Sequence, residues 1–353
     1  MKKSYEIPDR PKVTVLMPAY NGEKYLREAV DSILNQTFTE FEFLIIDDGS
    51  TDKTWQILQE YAGMDQRIVL VQNDNNLGLA KSLNKGLGMA KGEYIARMDA
   101  DDISLPERLA FQVAFLDENP NIGLVGSSVQ LISTDGFLGS VWRYPTIHSF
   151  ILWSLFFHTP IAHSTVIFRS TVIKRVGGYD YTLIANQDRD LWQRLSSVTC
   201  FANLPDVYLL YREHNPNSVS QRHADIQLRN SAKAGQRMMA QFLKYEVPFE
   251  ICYNFRICQF DTADSAIQAV RIVHSLYDTF IDKSLLSMSE KLVICRDAAQ
   301  RIIRLSWPFR RNVKMWGTII AHSFRLNPLL ALLTAQIFLS KVLHKAWHVI
   351  TYQ

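Results

Sequence analysis

The first hundred residues alternate four times between a short apolar run and a segment with helical periodicity. The apolar runs are rich in the β-branched and aromatic residues typical of buried strands, and they cover residues 13–17, 41–46, 67–71 and 92–96. The segment after the first run places its apolar residues on one helical face, at Leu26, Ala29, Val30, Ile33 and Leu34. This alternation predicts a parallel sheet with helices on both of its faces.

Each predicted strand ends in polar or turn-forming residues, at positions 18–21, 47–49, 73–76 and 99–102. The carboxyl ends of parallel strands share one edge of a sheet, and ligands of such sheets bind outside that edge. We therefore expect these four segments to lie together and to form a nucleotide-binding site.

The fourth of these segments is unusually acidic, with Asp99, Asp101 and Asp102 within four positions. Carboxylates this close repel one another, and a divalent cation relieves the repulsion because hard cations prefer oxygen ligands. The alternative is a solvated acidic turn that caps the next helix, since residues 104–107 have the pattern of a capping box with Pro106 in the first turn. Short acidic motifs alone have a high false-positive rate, so the surrounding residues must decide.

The composition is that of a globular protein with one large domain or two. Hydrophobic residues make up 47% of the 353 residues and charged residues 21%, which excludes a disordered chain. The net charge of +3 is too small to indicate a nucleic-acid-binding protein. No pair among the four cysteines has Cys-x-x-Cys spacing, so we expect reduced thiols and a cytosolic protein. Residues 1–6 are unlike a signal peptide, and no apolar run reaches the ~18–20 residues of a membrane-spanning helix.

The pattern after the acidic segment is looser. Residues 106–118 and the segment from Gln187 are predicted helices, and residues 134–136 have the composition of a hairpin turn. We predict strands at residues 123–126, 163–169 and 207–211, and an aromatic-rich helix within residues 142–157 that lines a pocket. From residue 217 the pattern is helical, which places a domain boundary near Ser220.

Five segments in this order resemble the family 2 inverting glycosyltransferases with the GT-A fold, of the bacterial polysaccharide or glycolipid type. They are residues 15–21 (VLMPAYN), 46–52 (IDDGSTD), 76–78 (NLG), 98–102 (MDADD) and 187–192 (QDRDLW). The resemblance covers about residues 12–220. It implies an α/β, GT-A (Rossmann-like) catalytic domain over residues 1–220, with a mostly parallel sheet and helices on both faces. A helical region, residues 221–300, and a basic apolar tail, residues 301–353, would follow.

The resemblance also implies roles for single positions in binding a UDP-sugar. Pro18, Tyr20 and Glu23 would hold the uracil and ribose, and Asp48 would accept the uracil N–H. For residues 47–50 the alternative is a turn with a helix cap. Asp101 would bind Mg²⁺ or Mn²⁺, with Asp102 as the competing ligand, and the metal would stabilise the departing UDP. The implied nucleotide-sugar site comprises Pro18, Ala19, Tyr20, Asn21, Glu23, Asp48, Lys81, Asp99, Ala100 and Asp101.

Asp188 matches the family's catalytic base. An acceptor hydroxyl is a poor nucleophile near neutral pH, and a nearby carboxylate can take its proton as the new bond forms. Direct displacement would invert the anomeric centre. The family more often has Glu where this chain has Gln187, so a carboxylate next to the base is missing. Asp190 is the alternative base, and the alternative role for Asp188 is a favourable charge at a helix N-terminus.

The remaining candidates have two interpretations each. His214 matches a position that reaches the metal or the pyrophosphate in relatives, but a lone histidine is more often structural. His163 and Ser164 match a segment near the acceptor or the phosphates, or else form a strand with a polar edge. Arg97 and Lys81 are either solvated or close to phosphates.

The C-terminal tail combines positive charge with apolar residues. After Asp297 there is no Asp or Glu, whereas eight Lys or Arg residues follow from Arg301 onward, together with Trp307, Trp316 and Trp347. The apolar run 328–339 is too short to span a bilayer, and runs of this length are usually buried or interfacial helices. We therefore expect either a packed helix or a peripheral contact of residues 301–353 with an anionic membrane.

The sequence is best interpreted as a cytoplasmic glycosyltransferase at the inner face of the cell membrane. It would transfer a sugar from a UDP-sugar to a glycan or lipid-linked acceptor and would not bind nucleic acid. One alternative is a nucleotidyltransferase, which would ordinarily have a glycine-rich basic loop after the first strand, unlike residues 19–22. The other is a catalytically inactive nucleotide-sugar-binding scaffold.

Overall fold

The computed structural model describes residues 10–213, 224–257, 259–309, 312–326, 328–337 and 339. The chain forms two compact units, Met1–Ile151 with Thr159–Asn230, and Leu152–His158 with Ser231–Gln353. The boundaries near residues 220 and 300 stay predictions. Within the described residues, no helix combines the length and apolar character needed to cross a bilayer.

The first unit contains one nine-stranded sheet and its flanking helices. Its first half follows the predicted alternation: β1 Val13–Ala19, α1 Leu26–Leu34, β2 Phe41–Asp47, α2 Thr54–Met64, β3 Ile68–Gln72, α3 Leu79–Met89, β4 Tyr94–Arg97, β5 Ile103–Ser104 and α4 Arg108–Glu118. The second half comprises β6 Ile122–Ile132, β7 Leu138–Trp142, the first four residues of α5 His148–Leu155, a 3-10 turn His163–Thr165, β8 Ile167–Arg169, α6 Ser170–Arg175, α7 Gln187–Leu195 and β9 Cys200–Arg212.

The strand order is β3-β2-β1-β4-β8-β6-β9-β5, with β7 paired to β6. Strands β1 to β4 are mutually parallel, with β1 between β2 and β4. From β8 onward the sheet is mixed, because β8 runs antiparallel to β4 and β6, whereas β6 and β9 are parallel. The predicted α/β fold of the GT-A type is confirmed, and the carboxyl ends of β1 to β4 meet at one edge.

The core explains why the first strands read as continuous apolar runs. Every residue of β1 and β2 is buried, as expected for strands covered on both faces. Helix α1 buries the face that its periodicity predicted. The buried polar pair in these strands is satisfied: Thr14 Oγ1 donates to Glu42 Oε1 at 2.5 Å, and Glu42 Oε1 also accepts the backbone N–H of Lys91 at 2.8 Å.

The predicted capping box at residues 104–107 is wrong. Ser104 belongs to β5 and pairs with Leu209 of β9. Its hydroxyl accepts a hydrogen bond from Gln36 Nε2 at 3.1 Å, and its N–H donates to Ser32 Oγ at 3.0 Å. Helix α4 instead begins after Glu107, which makes no side-chain capping bond. Long-range strand pairing therefore overrides the local capping pattern.

One further prediction needs correction. The strand expected at residues 163–169 is confined to β8, because His163–Thr165 forms a 3-10 turn. The aromatic-rich helix expected within residues 142–157 is present as α5, and its role in lining a pocket stays a prediction. Trp153 lies in the core of the second unit, where its Nε1 donates to Asp297 Oδ2 at 2.6 Å and its ring meets Phe280 at 5.7 Å.

The second unit is helical in its described residues. It contains most of α8 Ala224–Leu243, then α9 Phe249–Ile257, α10 Ala263–Lys283, α11 Met288–Ser306, a 3-10 turn Trp307–Phe309 and α12 Val313–Leu326. Residues 328–337 are also helical. A capping box that the sequence analysis missed is present at α11, where Ser287 and Glu290 bond reciprocally.

Candidate functional site

The loops after β1 and β2 are joined by hydrogen bonds. The N–H of Asn21, which has a positive φ of 48°, donates to Ser50 Oγ at 3.0 Å. Asn21 Oδ1 in turn accepts the N–H of Thr51 at 2.8 Å. Glu23 Oε2 accepts the N–H of Lys53 at 3.1 Å, just before α2. Two of the predicted nucleotide-binding residues, Asn21 and Glu23, therefore help to build the rim of the site.

Asp48 joins the end of β2 to the loop after β3. It is 3% exposed, and its Oδ1 accepts hydrogen bonds from Asn73 Nδ2 at 2.8 Å and from the N–H of Leu77 at 2.9 Å. Its Oδ2 accepts the N–H of Gly78 at 2.9 Å. These three bonds hold the loop that leads into α3. The predicted bond from Asp48 to a uracil N–H stays a prediction, and it would use the remaining acceptor capacity of a carboxylate.

The end of β1 lies beside the acidic segment. Pro18 and Ala19 are buried at the end of this strand, whereas Tyr20 is partly exposed. A Cβ on Gly22 would lie 3.9 Å from the Cβ of Ala100. The loops after β1 and β4 are thus in direct contact, as the position of both strand ends on one edge predicted.

The acidic segment forms a compact cluster of three carboxylates. One oxygen atom from each of Asp99, Asp101 and Asp102 lies within 4.8 Å of the others. Asp102 is 1% exposed. Burial raises the pKa of Asp102 well above its usual range, and repulsion from Asp101 and Asp99 adds to this. An oxygen donor set of this kind fits Mg²⁺ or Mn²⁺, which would relieve the repulsion.

Arg212 anchors the acidic cluster to β9. Its N–H donates to Asp102 Oδ1 at 2.9 Å, and its Nε donates to the carbonyl oxygen of Asp101 at 2.8 Å. The other end of the guanidinium pairs with Glu28 at 2.8 Å and lies over the ring of Tyr25. His214, the site residue predicted in this region, lies outside the described part of the chain.

Arg97 is buried beneath the cluster. Its side chain is 2% exposed and forms an ion pair with Asp99, so the solvated alternative is wrong for Arg97. Its carbonyl oxygen accepts a hydrogen bond from the equally buried Arg108 at 2.7 Å. Burial, with Arg97 adding to it, lowers the pKa of Arg108 to about 9. Lys81, by contrast, is exposed in the first turn of α3.

His163 and Tyr179 form a hydrogen-bonded pair, with His163 Nε2 at 2.8 Å from Tyr179 Oη. Burial lowers the pKa of His163 well below its usual range, and the positive charge of Arg97 lowers it further. Burial raises the pKa of Tyr179; Asp188 and Asp99 also raise it, whereas Arg97 opposes the shift. His163 therefore shares one electrostatic environment with four residues that are distant from it in sequence: Arg97, Asp99, Tyr179 and Asp188. Ser164, the neighbouring candidate, has a buried hydroxyl.

Asp188 is positioned in the first turn of α7, after Asn186 with its left-handed φ of 67°. Burial raises the pKa of Asp188, outweighing the opposing effects of backbone N–H donors and of Arg97. A carboxylate with a raised pKa is a stronger general base while it remains ionised. The alternative base, Asp190, is engaged in an ion pair with Arg194 at 2.8 Å.

Arg97→Met is expected to raise the pKa of His163. The reason is that removing a buried positive charge favours the protonated imidazole. An NMR pH titration of the His163 ring would measure the shift, and Arg97→Lys, which keeps the charge, is the control. A His163 titration that is the same in both variants would contradict the electrostatic role of Arg97.

Sequence comparisons identify related proteins. Residues 14–175 match the family model described as Glycosyl transferase family 2. An uncharacterized glycosyltransferase of Haemophilus influenzae is 38% identical over 221 residues, which cover 60% of this chain and 68% of the relative. The O-antigen biosynthesis glycosyltransferase WbnJ of Escherichia coli is 33% identical over 210 residues, which cover 58% of this chain and 81% of the relative.

Two solved structures are similar to this chain at lower sequence identity. S. aureus TarS 1-349 in complex with UDP-GlcNAc has a TM-score of 0.54 at 20% identity, over 89% of this chain and 91% of that chain. Mannosyltransferase PcManGT from Pyrobaculum calidifontis, in complex with GDP-Man and Mn²⁺, has a TM-score of 0.50 at 21% identity, over 90% of this chain and 87% of that chain. At these identities the likeness establishes the shared fold.

Proposed function

Because the chain belongs to family 2 of the glycosyltransferases, we propose that it transfers a sugar, with inversion, from a UDP-sugar to a hydroxyl group of a glycan or lipid-linked acceptor. The main support is that the site contains both a cluster of three carboxylates and the separate carboxylate of Asp188. A cluster of three carboxylates suits a metal and a diphosphate, and Asp188, with a raised pKa, suits a base. Membership of the family removes the nucleotidyltransferase alternative.

The donor is proposed to lie along the carboxyl ends of β1, β2 and β4. Tyr20 and the loop residues Asn21 and Glu23 would contact the nucleoside, while the acidic cluster would lie near the diphosphate. TarS supports a UDP donor by its complex with UDP-GlcNAc. WbnJ, by its name, supports a polysaccharide acceptor.

We propose that Asp101 is the main metal ligand. Asp101 is partly exposed, whereas Asp102 is buried and already accepts the N–H of Arg212. When bound, Mg²⁺ or Mn²⁺ would neutralise the charge that develops on the departing UDP. PcManGT, which has the same fold, was solved with Mn²⁺. His214, the other proposed ligand, lies outside the described residues.

The chain's own residues would then activate the acceptor. Ionised Asp188 would accept the proton of the acceptor hydroxyl group. At the same time the acceptor oxygen would attack the anomeric carbon from the face opposite the leaving group. His163, which burial keeps neutral, and Tyr179 would contribute polar groups next to this position. Arg97 would hold Asp99 in place through its ion pair.

A donor screen tests the proposal. The full chain with Mn²⁺ would be incubated with UDP-sugars and with GDP-Man, alone and with candidate glycans. We expect release of UDP that an acceptor accelerates, and NMR of the product should show the inverted anomeric configuration. Turnover of GDP-Man alone would contradict the UDP specificity, a retained configuration would contradict direct displacement, and no turnover with any donor would favour the inactive scaffold.

We propose that the tail makes a peripheral membrane contact at the inner face of the cell membrane. In the helical segment 328–337, Leu330, Ala331 and Thr334 are fully buried, which supports a packed helix on one side. On the other side Leu329 and Leu332 are 43% and 57% exposed. An exposed apolar strip within a region rich in Lys and Arg is typical of interfacial helices.

The double variant Leu329→Gln with Leu332→Gln is expected to co-sediment less with anionic liposomes than the unchanged chain. The loss of apolar contact should weaken binding, while the basic residues keep a salt-sensitive attraction of about 1 kcal/mol each. Leu285→Gln is the control, because Leu285 is 106% exposed outside this segment. Equal sedimentation of all three proteins, or no binding at low salt, would leave the tail as a packed subdomain.

A further inference from the structure

The β6–β7 hairpin carries an exposed aromatic side chain in an ordered position. All five residues of β7 are exposed, although the strand is paired with β6 through Val129 and Trp142. Trp142 is 46% exposed. Its ring stacks on that of Tyr211, with the ring centroids 6.2 Å apart and the planes at 29°. The indole is thus supported by a neighbouring ring, while nearly half of the residue's surface remains exposed.

The segments that carry Trp142 and Tyr211 lead to the two parts of the candidate site, which are the acidic cluster and Asp188. Tyr211 directly precedes Arg212, which bonds to Asp102 and to the carbonyl oxygen of Asp101. Tyr144, two residues after Trp142, packs against the main core of the first unit. Burial raises the pKa of Tyr144 to about 12, and the charge of Asp188 adds to this shift. The strand that carries Tyr211 thus ends at the acidic cluster, and the segment that follows Trp142 lies near enough to Asp188 to feel its charge.

We propose that Trp142, supported by Tyr211, is a stacking platform for a pyranose ring of the acceptor. The inference rests on the proposed function, which needs an acceptor next to Asp188. An indole offers a flat apolar face and one N–H donor, and a pyranose ring offers an apolar C–H face with hydroxyl groups around its edge. Because the stack on Tyr211 already fixes the indole, binding sacrifices little side-chain freedom.

A sugar fits this surface better than an acyl chain does. On the face of β7 that carries Trp142, the next position along the alternating strand is Ser140, so the apolar surface is interrupted by a hydroxyl. Arg143 follows Trp142 and is exposed, with its guanidinium 3.5 Å from the carbonyl oxygen of Pro205. An aromatic face bordered by polar groups is suited to a ring with hydroxyl groups.

Saturation-transfer NMR on the full chain with UDP and Mn²⁺ tests this platform. The probes are the methyl glycosides of glucose, galactose, mannose and N-acetylglucosamine. We expect at least one to receive saturation at its ring C–H protons. Trp142→Ala should lower that signal by about five- to tenfold, as for a lost aromatic contact, while Trp142→Phe retains most of it. Calorimetry should show the same UDP affinity in all three proteins.

The control is Phe137→Ser, because Phe137 is 75% exposed at the hairpin turn and is not part of the Trp142–Tyr211 stack. It should keep the full signal. Octyl glucoside serves as a fifth probe. No response to any methyl glycoside, an unchanged signal in Trp142→Ala, or saturation of octyl glucoside alone would overturn the platform, the last by indicating an acyl-chain surface. Failure of the unchanged chain to bind UDP would instead contradict the proposed function. Thermal melting followed by circular dichroism verifies that each variant is folded.

Discussion

Asp188→Asn is expected to bind a UDP-sugar as tightly as the unchanged chain and to transfer the sugar about 10²- to 10⁴-fold more slowly, the usual effect of losing a general base. The amide has almost the same shape as the carboxylate and can still cap the first turn of α7, so the fold should persist. The carboxamide cannot take the proton of the acceptor hydroxyl. Calorimetry with UDP and a UDP-release assay separate the two effects.

Asp190→Asn provides the matched control. It lies on the same helix, but its carboxylate is occupied by Arg194, so we expect a much smaller loss of transfer. If UDP binding disappears together with activity in Asp188→Asn, then Asp188 is a binding or structural residue. A larger loss in Asp190→Asn would reassign the base.

The pH profile of the unchanged chain should carry the same information. Protonated Asp188 cannot act as a base, so the rate falls as the pH falls through its pKa. Because burial raises that pKa, the fall should begin at a higher pH than the value of about 3.9 for an ordinary aspartate would give. This acid limb should be absent from the residual activity of Asp188→Asn.

Asp101→Ala is expected to abolish metal-dependent turnover while the protein stays folded. Removing one of three neighbouring carboxylates takes away a ligand and also relieves repulsion, so no loss of stability should follow. Binding of Mn²⁺, measured by electron paramagnetic resonance, should weaken strongly. Full activity of the variant, or of the unchanged chain in EDTA, would contradict the proposed metal role.

The variant Asp102→Ala distinguishes a structural role of Asp102 from a role as a metal ligand. Asp102 is buried and holds the N–H of Arg212, so its loss should lower the melting temperature as well as activity. Loss of a buried hydrogen-bond partner typically costs about 1–3 kcal/mol. If Asp102→Ala is as stable as the unchanged chain but loses Mn²⁺ binding, Asp102 rather than Asp101 is the main ligand.

Much of the fold follows from local sequence patterns. The alternation over residues 13–97 predicted β1 to β4 and their helices, because buried parallel strands and amphipathic helices have distinct periodicities. The predicted meeting of strand ends is visible in the contacts of Asn21 with Ser50 and of Asp48 with Gly78. Asp188, the proposed base, was selected through a motif, and α7 begins at the expected residue, Gln187.

Local sequence patterns could not predict the contacts that complete the site. Arg97 shows its role only when burial and the ion pair with Asp99 are seen, since an arginine at a strand end is equally compatible with solvent. Arg212 and Tyr179 reach the site from segments roughly 80 to 110 positions away from the acidic residues. Close to them the sequence has the position matched at His214 and the pair Gly177 and Gly178 before Tyr179, neither of which specifies a partner. Tertiary pairing of β5 with β9 likewise decided against the capping box.

Two hydrogen bonds between Asn84 and the backbone of Tyr179 join helix α3 to the turn that carries Tyr179. Asn84 Nδ2 donates to the carbonyl oxygen of Tyr179 at 2.8 Å, and Asn84 Oδ1 accepts its N–H at 2.8 Å. A Cβ on Gly178 would lie 2.5 Å from Asn84 Oδ1. A larger residue at position 178 would therefore displace Asn84. Helix α3 begins after the loop in which the N–H of Gly78 donates to Asp48. The hydroxyl of Tyr179, whose backbone is held by Asn84 of the same helix, forms a hydrogen bond with His163. Helix α3 therefore links the loop held by Asp48 to the turn that positions Tyr179, the hydrogen-bond partner of His163.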